Sequence, residues 1–478
     1  SLKPRVTLSR LGFLRSSMSR MLVRHVQMTS KGAKRRISAV PMSLAAGVIA
    51  WSLGMLALAL DYSHGLQKSF ILPLGMPKAP CAWRCSRRVV RSVAMRAQVD
   101  PRKVTSWMGE ASDAQGVIEV MEQEMARLEA DTGSPAIDNE IHLATAFTRL
   151  AQLKFSAGKL RGSAALQMLV DQLQQRLASG QITARSSANI LWAIAALRNE
   201  TPELLGLVTI LVDNVKSVAH EFNAQHVSNV IWTVANLQEQ IPSVLGLVPL
   251  LTERIKPVVA EMKAQNVANI LWALAKSRWD ESQLQKILPL LARRATEIVD
   301  KCTPQNVANI IWAAGVLKKQ QPSLTSLVDI MPELTEAAWE RLDEFAPQEL
   351  ANICWGLAEC DWEDEFFFGL LADTINKKAQ RWGKRQVDLD LPQVACSFAK
   401  LGIVNKPLMR TVADRSMGML RQINDWGLCA LTWVFTEALP DADFNDFQKR
   451  LRTEVQRRGF SKAVVSRSQM GPDEWYLS

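Results

Sequence analysis

Ten polar side chains recur in pairs at a fixed offset from a tryptophan. Arg185/Ser186, Gln225/His226, Gln265/Asn266, Gln305/Asn306 and Gln348/Glu349 stand seven and six residues before Trp192, Trp232, Trp272, Trp312 and Trp355. Gln, Asn, Ser and Arg are side chains suited to the hydrogen-bonding edges of nucleic-acid bases, and two or three of them on one helical repeat suffice to read a base. A code requires variation, so the near-constant Gln reads as structural. The residue after it, which changes between Ser, His, Asn and Glu, is the better reader, with a solvated helix start as its plain alternative. Three residues before each tryptophan stands an asparagine: Asn189, Asn229, Asn269, Asn309 and Asn352. A buried amide left unpaired costs about 1–3 kcal/mol, which favours a ladder binding one repeat to the next over a contact with a base. The tryptophans have the chemistry to stack bases, but their Ile, Leu and Ala neighbours point to core packing.

Chemistry of other kinds finds little support. Only His142, His220 and His226 follow residue 100, and no Gly-rich phosphate loop, Gly-x-Ser-x-Gly turn or carboxylate pair on an apolar face is present. Cys81, Cys85, Cys302, Cys354, Cys360, Cys396 and Cys429 include no Cys-x-x-Cys pair, which argues against a zinc site or a disulfide framework and for small core hydrophobes. The expectation is a protein that is not an enzyme and carries no cofactor and no metal.

Five segments that align without gaps must position these residues, among them Ala264-Gln-Asn-Val-Ala-Asn-Ile-Leu-Trp272 and Pro304-Gln-Asn-Val-Ala-Asn-Ile-Ile-Trp312, with tryptophan spacings of 40, 40, 40 and 43. Weaker copies lie at 140–154, 392–402 and 424–439, and degenerate end units suit a solenoid whose terminal faces meet water. Each unit reads as two helices. The first begins near Thr183, Asn223, Lys263, Thr303 or Ala346, with Pro304 and Pro347 at the first helical position, where a missing N–H costs nothing. It is apolar almost all round, with Ala, Ser, Gly or Thr four before and one after the tryptophan, so it must be buried on several sides and approached closely. The second helix is amphipathic, with Leu205, Val208, Leu211 and Val212 as its stripe. No run of alternating β-branched residues long enough for a sheet intervenes. The fold expected is all-α: a right-handed α-α superhelix of about seven helix pairs of roughly 40 residues.

Charge is divided unevenly along the chain. Of the 57 Lys/Arg, 17 fall in residues 1–99, where Asp61 is the one acid among the 47 Asp/Glu, leaving 40 basic against 46 acidic residues and a net of −6 for 100–478. The overall +10 therefore belongs to the leader and says nothing of nucleic-acid binding by the rest. Residues 40–60 are apolar apart from Ser43 and Ser52, long enough to span a bilayer. The stretch that follows is rich in Arg and poor in acids, the composition of a transit peptide. The domain organisation expected is a targeting leader over 1–105, mostly disordered, a charged helical lead-in over 106–138, the solenoid over 139–440, and a capping helix and tail over 441–478.

The apolar-then-basic order resembles the bipartite leaders of proteins entering complex plastids, with Phe70-Ile-Leu-Pro73 in the place of their Phe-centred motif. That implies a plastid in preference to a mitochondrion, with a membrane anchor as a further alternative. The string Gln-x-x-Ala-Asn-Ile-Leu-Trp-Ala-x-Ala-Lys at 265–276 resembles the repeats of organellar RNA-metabolism proteins: the octotricopeptide-repeat proteins, the repeats that accompany RAP domains and FAST-kinase-like proteins, and the RNA-editing mediator proteins with armadillo-like repeats. The likeness covers about 140–440. It implies a solenoid that binds single-stranded organellar RNA in processing, stability, editing or translation, alongside other RNA-processing proteins and without stable membrane association. Octotricopeptide units are usually shorter and carry a Pro-rich turn, and no RAP-like C-terminal domain is found, so a nuclease role is unsupported. A protein-interaction scaffold is the alternative, since solenoids also bind extended peptides.

Overall fold

The computed structural model describes residues 101–132, 139–180, 182–277 and 279–471; most of the stretch expected to be a targeting leader, including the apolar segment 40–60, lies outside them. Twenty α-helices and no strand occur among the described residues. In chain order they pair as α1 (Pro101–Glu110) with α2 (Ala114–Thr132), α3 (Glu140–Gln152), through the single turn α4 (Lys154–Ala157), with α5 (Ala164–Ala178), and α6 (Ala184–Ala196) with α7 (Val208–Val218). The next pairs are α8 (Ala224–Leu237) with α9 (Val248–Val258), α10 (Ala264–Lys276) with α11 (Glu281–Glu297), and α12 (Pro304–Gln320) with α13 (Met331–Trp339). Then come α14 (Pro347–Glu359) with α15 (Glu365–Ala379), α16 (Leu391–Lys400) with α17 (Lys406–Met417), α18 (Asp425–Trp433) with α19 (Asn445–Arg457), and the single α20 (Lys462–Arg467). First members pack on first members in sequence, from α1 to α20, and form an inner layer; second members form an outer layer alongside. This is an all-α solenoid.

Local sequence accounts for the inner helices. Thr183, Asn223, Lys263, Thr303 and Ala346 are the N-cap residues of α6, α8, α10, α12 and α14, and the last two helices open on Pro304 and Pro347. The residue before each cap, Ile182, Phe222, Met262, Cys302 or Phe345, is buried. In four of these units its backbone is held by a basic side chain of the outer helix or of the turn just after it: Arg254 Nε donates to the Phe222 carbonyl at 2.7 Å, Arg294 Nε to Met262 at 3.0 Å, Arg341 Nη1 to Cys302 at 2.9 Å and Lys378 Nζ to Phe345 at 2.6 Å. Arg458, the residue after α19, repeats this on Ile423 at 2.7 Å. A basic side chain thus satisfies a carbonyl that the break between helices leaves without a helical partner.

Small residues set how closely inner helices approach. The residue after each tryptophan is Ala193, Thr233, Ala273, Ala313 or Gly356, and the first four are fully buried. The last contact is the tightest: a Cβ on Gly315 would stand 2.8 Å from the Gly356 Cα, and one on Gly356 would run into the Ile311 carbonyl. Between the layers the buried side chains form one continuous core from Val104 to Val465.

Three expectations need correction. The solenoid overruns 139–440 at both ends, because α1 and α2 bury Val104, Met108, Val117, Ile118 and Met121 against α3, and α19 and α20 continue the two layers. Helix α1 begins at Pro101, inside the stretch assigned to the leader. Nine helix pairs and a terminal helix result, rather than about seven. At the start of the outer stripe Leu204 and Leu207 take the place of Leu205, since 202–207 and 242–247 are 3₁₀ turns with three residues per turn, while Val208, Leu211 and Val212 are buried as expected. Leu204, Leu207, Val208, Leu211, Val212 and Val215 are buried, and Leu205 only half-buried.

Candidate functional site

Positions seven and three before the tryptophan, the tryptophan itself and the fourth residue after it lie on one face of a helix with 3.6 residues per turn. In the structure water reaches most of these positions, with Ala196 and Trp355 as buried exceptions. Arg185, Gln225 and Gln265 are exposed and Gln305 and Gln348 half-buried, while all five asparagines and Trp192, Trp232, Trp272 and Trp312 are half-buried. The tryptophans are therefore not interior. Each of these four rings packs on the core and stays half-buried, because small residues line the buried side of the inner helix and leave no room there for an indole. Stacked repeats turn these positions into parallel columns of glutamine, asparagine and tryptophan.

Neighbouring rings meet across repeats. Trp192 and Trp232 have centroids 6.2 Å apart at 46°, and Trp272 and Trp312 are stacked at 6.4 Å and 30°. Two rungs of the expected ladder are formed: Asn229 Nδ2 donates to Asn189 Oδ1 at 3.3 Å, and Gln393, which replaces the asparagine in α16, donates to Asn352 Oδ1 at 3.5 Å and to the Ala351 carbonyl at 3.3 Å.

Lysines interleave with the rings. Lys276 Nζ lies 5.9 Å from the Trp272 centroid and 5.7 Å from that of Trp312, and Lys319 and Lys400 lie 5.7 and 4.9 Å from that of Trp355. Such contacts draw the ammonium to the ring quadrupole. Glu359 is buried beneath the last two and pairs with Lys400 and, at 3.8 Å, with Lys319. Sequence reasoning missed these lysines and Gln393. Counting four residues onward from the tryptophan would have found Lys276, and in α16, where Cys396 takes the tryptophan's place, Lys400.

The variable position six before the tryptophan behaves otherwise. It is the third residue of each helix, and its side chain turns back to the N-cap, as a capping box does. Asn266 Oδ1 accepts from the Lys263 N–H at 3.0 Å, Asn306 Oδ1 from Thr303 at 3.2 Å and Glu349 Oε2 from Ala346 at 2.8 Å. His226 Nδ1 accepts from Asn223 at 3.5 Å, and Ser186 meets the Thr183 hydroxyl at 3.3 Å. Ser186, His226 and Asn306 are buried. Burial, and after it the Arg185 guanidinium, holds the His226 imidazole below its ordinary pKa, which keeps Nδ1 an acceptor. The two first-turn positions thus exchange roles: the constant one faces solvent and the variable one completes the cap.

The five described cysteines are buried. Burial pushes the Cys302 thiol up to about 11 and those of Cys360, Cys396 and Cys429 to about 12, so thiolate chemistry is disfavoured at them. Among the described residues no cluster of three or more His, Cys, Asp or Glu is placed to hold a metal ion, and no helix is long and apolar enough to cross a membrane. No protein-family model matches the chain, and no curated protein matches it.

Proposed function

We propose that the solenoid binds single-stranded RNA along the stripe formed by the glutamine, asparagine and tryptophan columns, and that it serves organellar RNA processing, stability, editing or translation. The observation that carries this reading is the register of four half-buried tryptophan rings with water-accessible amides on one face. Rings offer a sequence-tolerant platform for bases, and the amides beside them offer donors and acceptors for base edges. Arg185, Lys276, Lys319 and Lys400 supply positive charge beside the stripe, and Glu359, its one carboxylate at these positions, is already paired. A peptide-binding scaffold is the second reading, favoured by the net acidity of 100–478 and by amides that would serve a peptide backbone equally well.

Fluorescence anisotropy of the full chain against a labelled 24-nucleotide strand, its duplex and an extended peptide library separates the two. Single-stranded RNA should bind more tightly than the duplex, whose bases cannot reach the rings. At roughly 0.7 per contacted phosphate, the four cations predict a log–log salt slope no steeper than about −3. Duplex binding as tight as single-strand binding, or binding of peptides alone, would sink the proposal.

A further inference from the structure

At Trp355 the tryptophan column is covered by the chain's own C-terminal segment. Helices α12 and α16, which flank α14, send Lys319 and Lys400 to the Trp355 ring. After α19 the chain returns through α20 to the inner layer. There the buried Trp426 indole donates to the Ser468 carbonyl at 2.8 Å and anchors the segment. Gly471, at φ 98°, then lies on Trp355 so closely that a Cβ would stand 2.6 Å from the ring's Cζ2. Trp355 is accordingly only 5% exposed. Beside it Lys319, Lys400, Ser466, Arg467 and Gln469 line an open groove. Three cations reach that groove from three helices. Among the described residues the carboxylates next to it are engaged, Glu359 beneath the lysines and Glu437 as acceptor of the Ser466 hydroxyl at 3.0 Å.

We propose that this groove is a subsite for the terminal phosphate of the bound strand, an inference that rests on the RNA-binding reading above. A strand lying on the open rings up to Trp312 meets the C-terminal segment where its next base would stack on Trp355, so one of its ends lies at Lys319, Lys400 and Arg467. A terminal phosphomonoester carries about −1.5 to −2 charges at pH 7 and three strong acceptor oxygens, which an Arg with two Lys is suited to hold. An internal phosphodiester carries one charge and needs a way onward, which the anchored segment closes.

The test uses the full chain and 12-nucleotide strands of one sequence bearing a 5′-phosphate, a 3′-phosphate or hydroxyls at both ends, compared by competition. One phosphorylated strand should bind about tenfold more tightly than the hydroxyl strand, the scale of one or two charge-assisted hydrogen bonds. Arg467→Gln, a change at an exposed side chain with no core to disturb, should abolish that difference, and Lys319→Gln should reduce it. Equal binding of the three strands would overturn the subsite while leaving RNA binding in place, and so would a phosphate advantage that survives Arg467→Gln. Failure of all three strands to bind would overturn the RNA reading and the subsite with it.

Discussion

Trp272 and Trp355 occupy the same turn of equivalent helices, three residues after an asparagine and next to a small residue. One is half-buried beside Lys276; the other is covered by Gly471, more than a hundred residues further along the chain. Nothing in the local motif separates them. A solenoid presents the same columns at every repeat, so what lies over a column decides whether a given member is surface or core. The motif identifies the scaffold, and the covering segment marks where the open surface stops.

The largest expected effect tests that contrast directly. Trp355→Ala should cost about 3–5 kcal/mol of stability, as for a buried aromatic ring, whereas Trp272→Ala, at a half-buried ring, should cost less than half as much. Urea unfolding of the full chain reads both, and equal losses would erase the distinction. In RNA binding the order should invert. Trp272→Ala should lose about 1–3 kcal/mol of affinity, the worth of one stacked base, and Trp355→Ala far less; a larger loss at Trp355 would place the open platform elsewhere.

A second contrast lies within the first turn. Asn306→Ala removes a capping side chain and should cost about 0.5–2 kcal/mol of stability, while Gln265→Ala, at an exposed position, should leave unfolding unchanged and weaken RNA binding. His226 adds a pH dependence to its cap. Its folded pKa lies below the ordinary 6.5, so its contribution is complete above pH 6.5 and is lost as pH falls through the folded value. Melting temperatures from pH 8 to pH 5 should therefore fall more steeply for the parent chain than for His226→Asn, whose amide caps without titrating. Parallel curves would remove the histidine from the cap.

Much of the scaffold was legible because it is local. The five caps, the helix starts at Pro304 and Pro347 and the small residues around each tryptophan all follow from periodicity and capping chemistry. The capping role of the variable first-turn residue was not legible because its variation was read as recognition, although Asn, Glu and His each accept from the cap N–H and Ser186 meets the cap hydroxyl. Helices α1, α2 and α20 carry no copy of the motif, so only their packing places them in the layers. The clips made by Arg254, Arg294, Arg341, Lys378 and Arg458 escaped notice because the outer helices vary in length and the spacings drift. Coverage of Trp355 depends on a distant contact, which no repeat pattern encodes.

The smallest effect bears on how the open rings are used. Lys276 sits near both Trp272 and Trp312, a cation–π contact worth roughly 0.5–1 kcal/mol at an accessible site. A double-mutant cycle combining Lys276→Met with Trp312→Leu should return a coupling of that size in the free protein. A base that stacks on the ring competes for the same π-face, and the displaced ammonium finds a phosphate instead. The coupling should then vanish when the cycle is repeated on RNA affinity, with Lys276→Met weakening binding whether or not Trp312 is present. Full coupling retained in the complex would mean that lysine, not a base, holds the ring, and the columns of glutamine and asparagine would have to bind the strand without stacking.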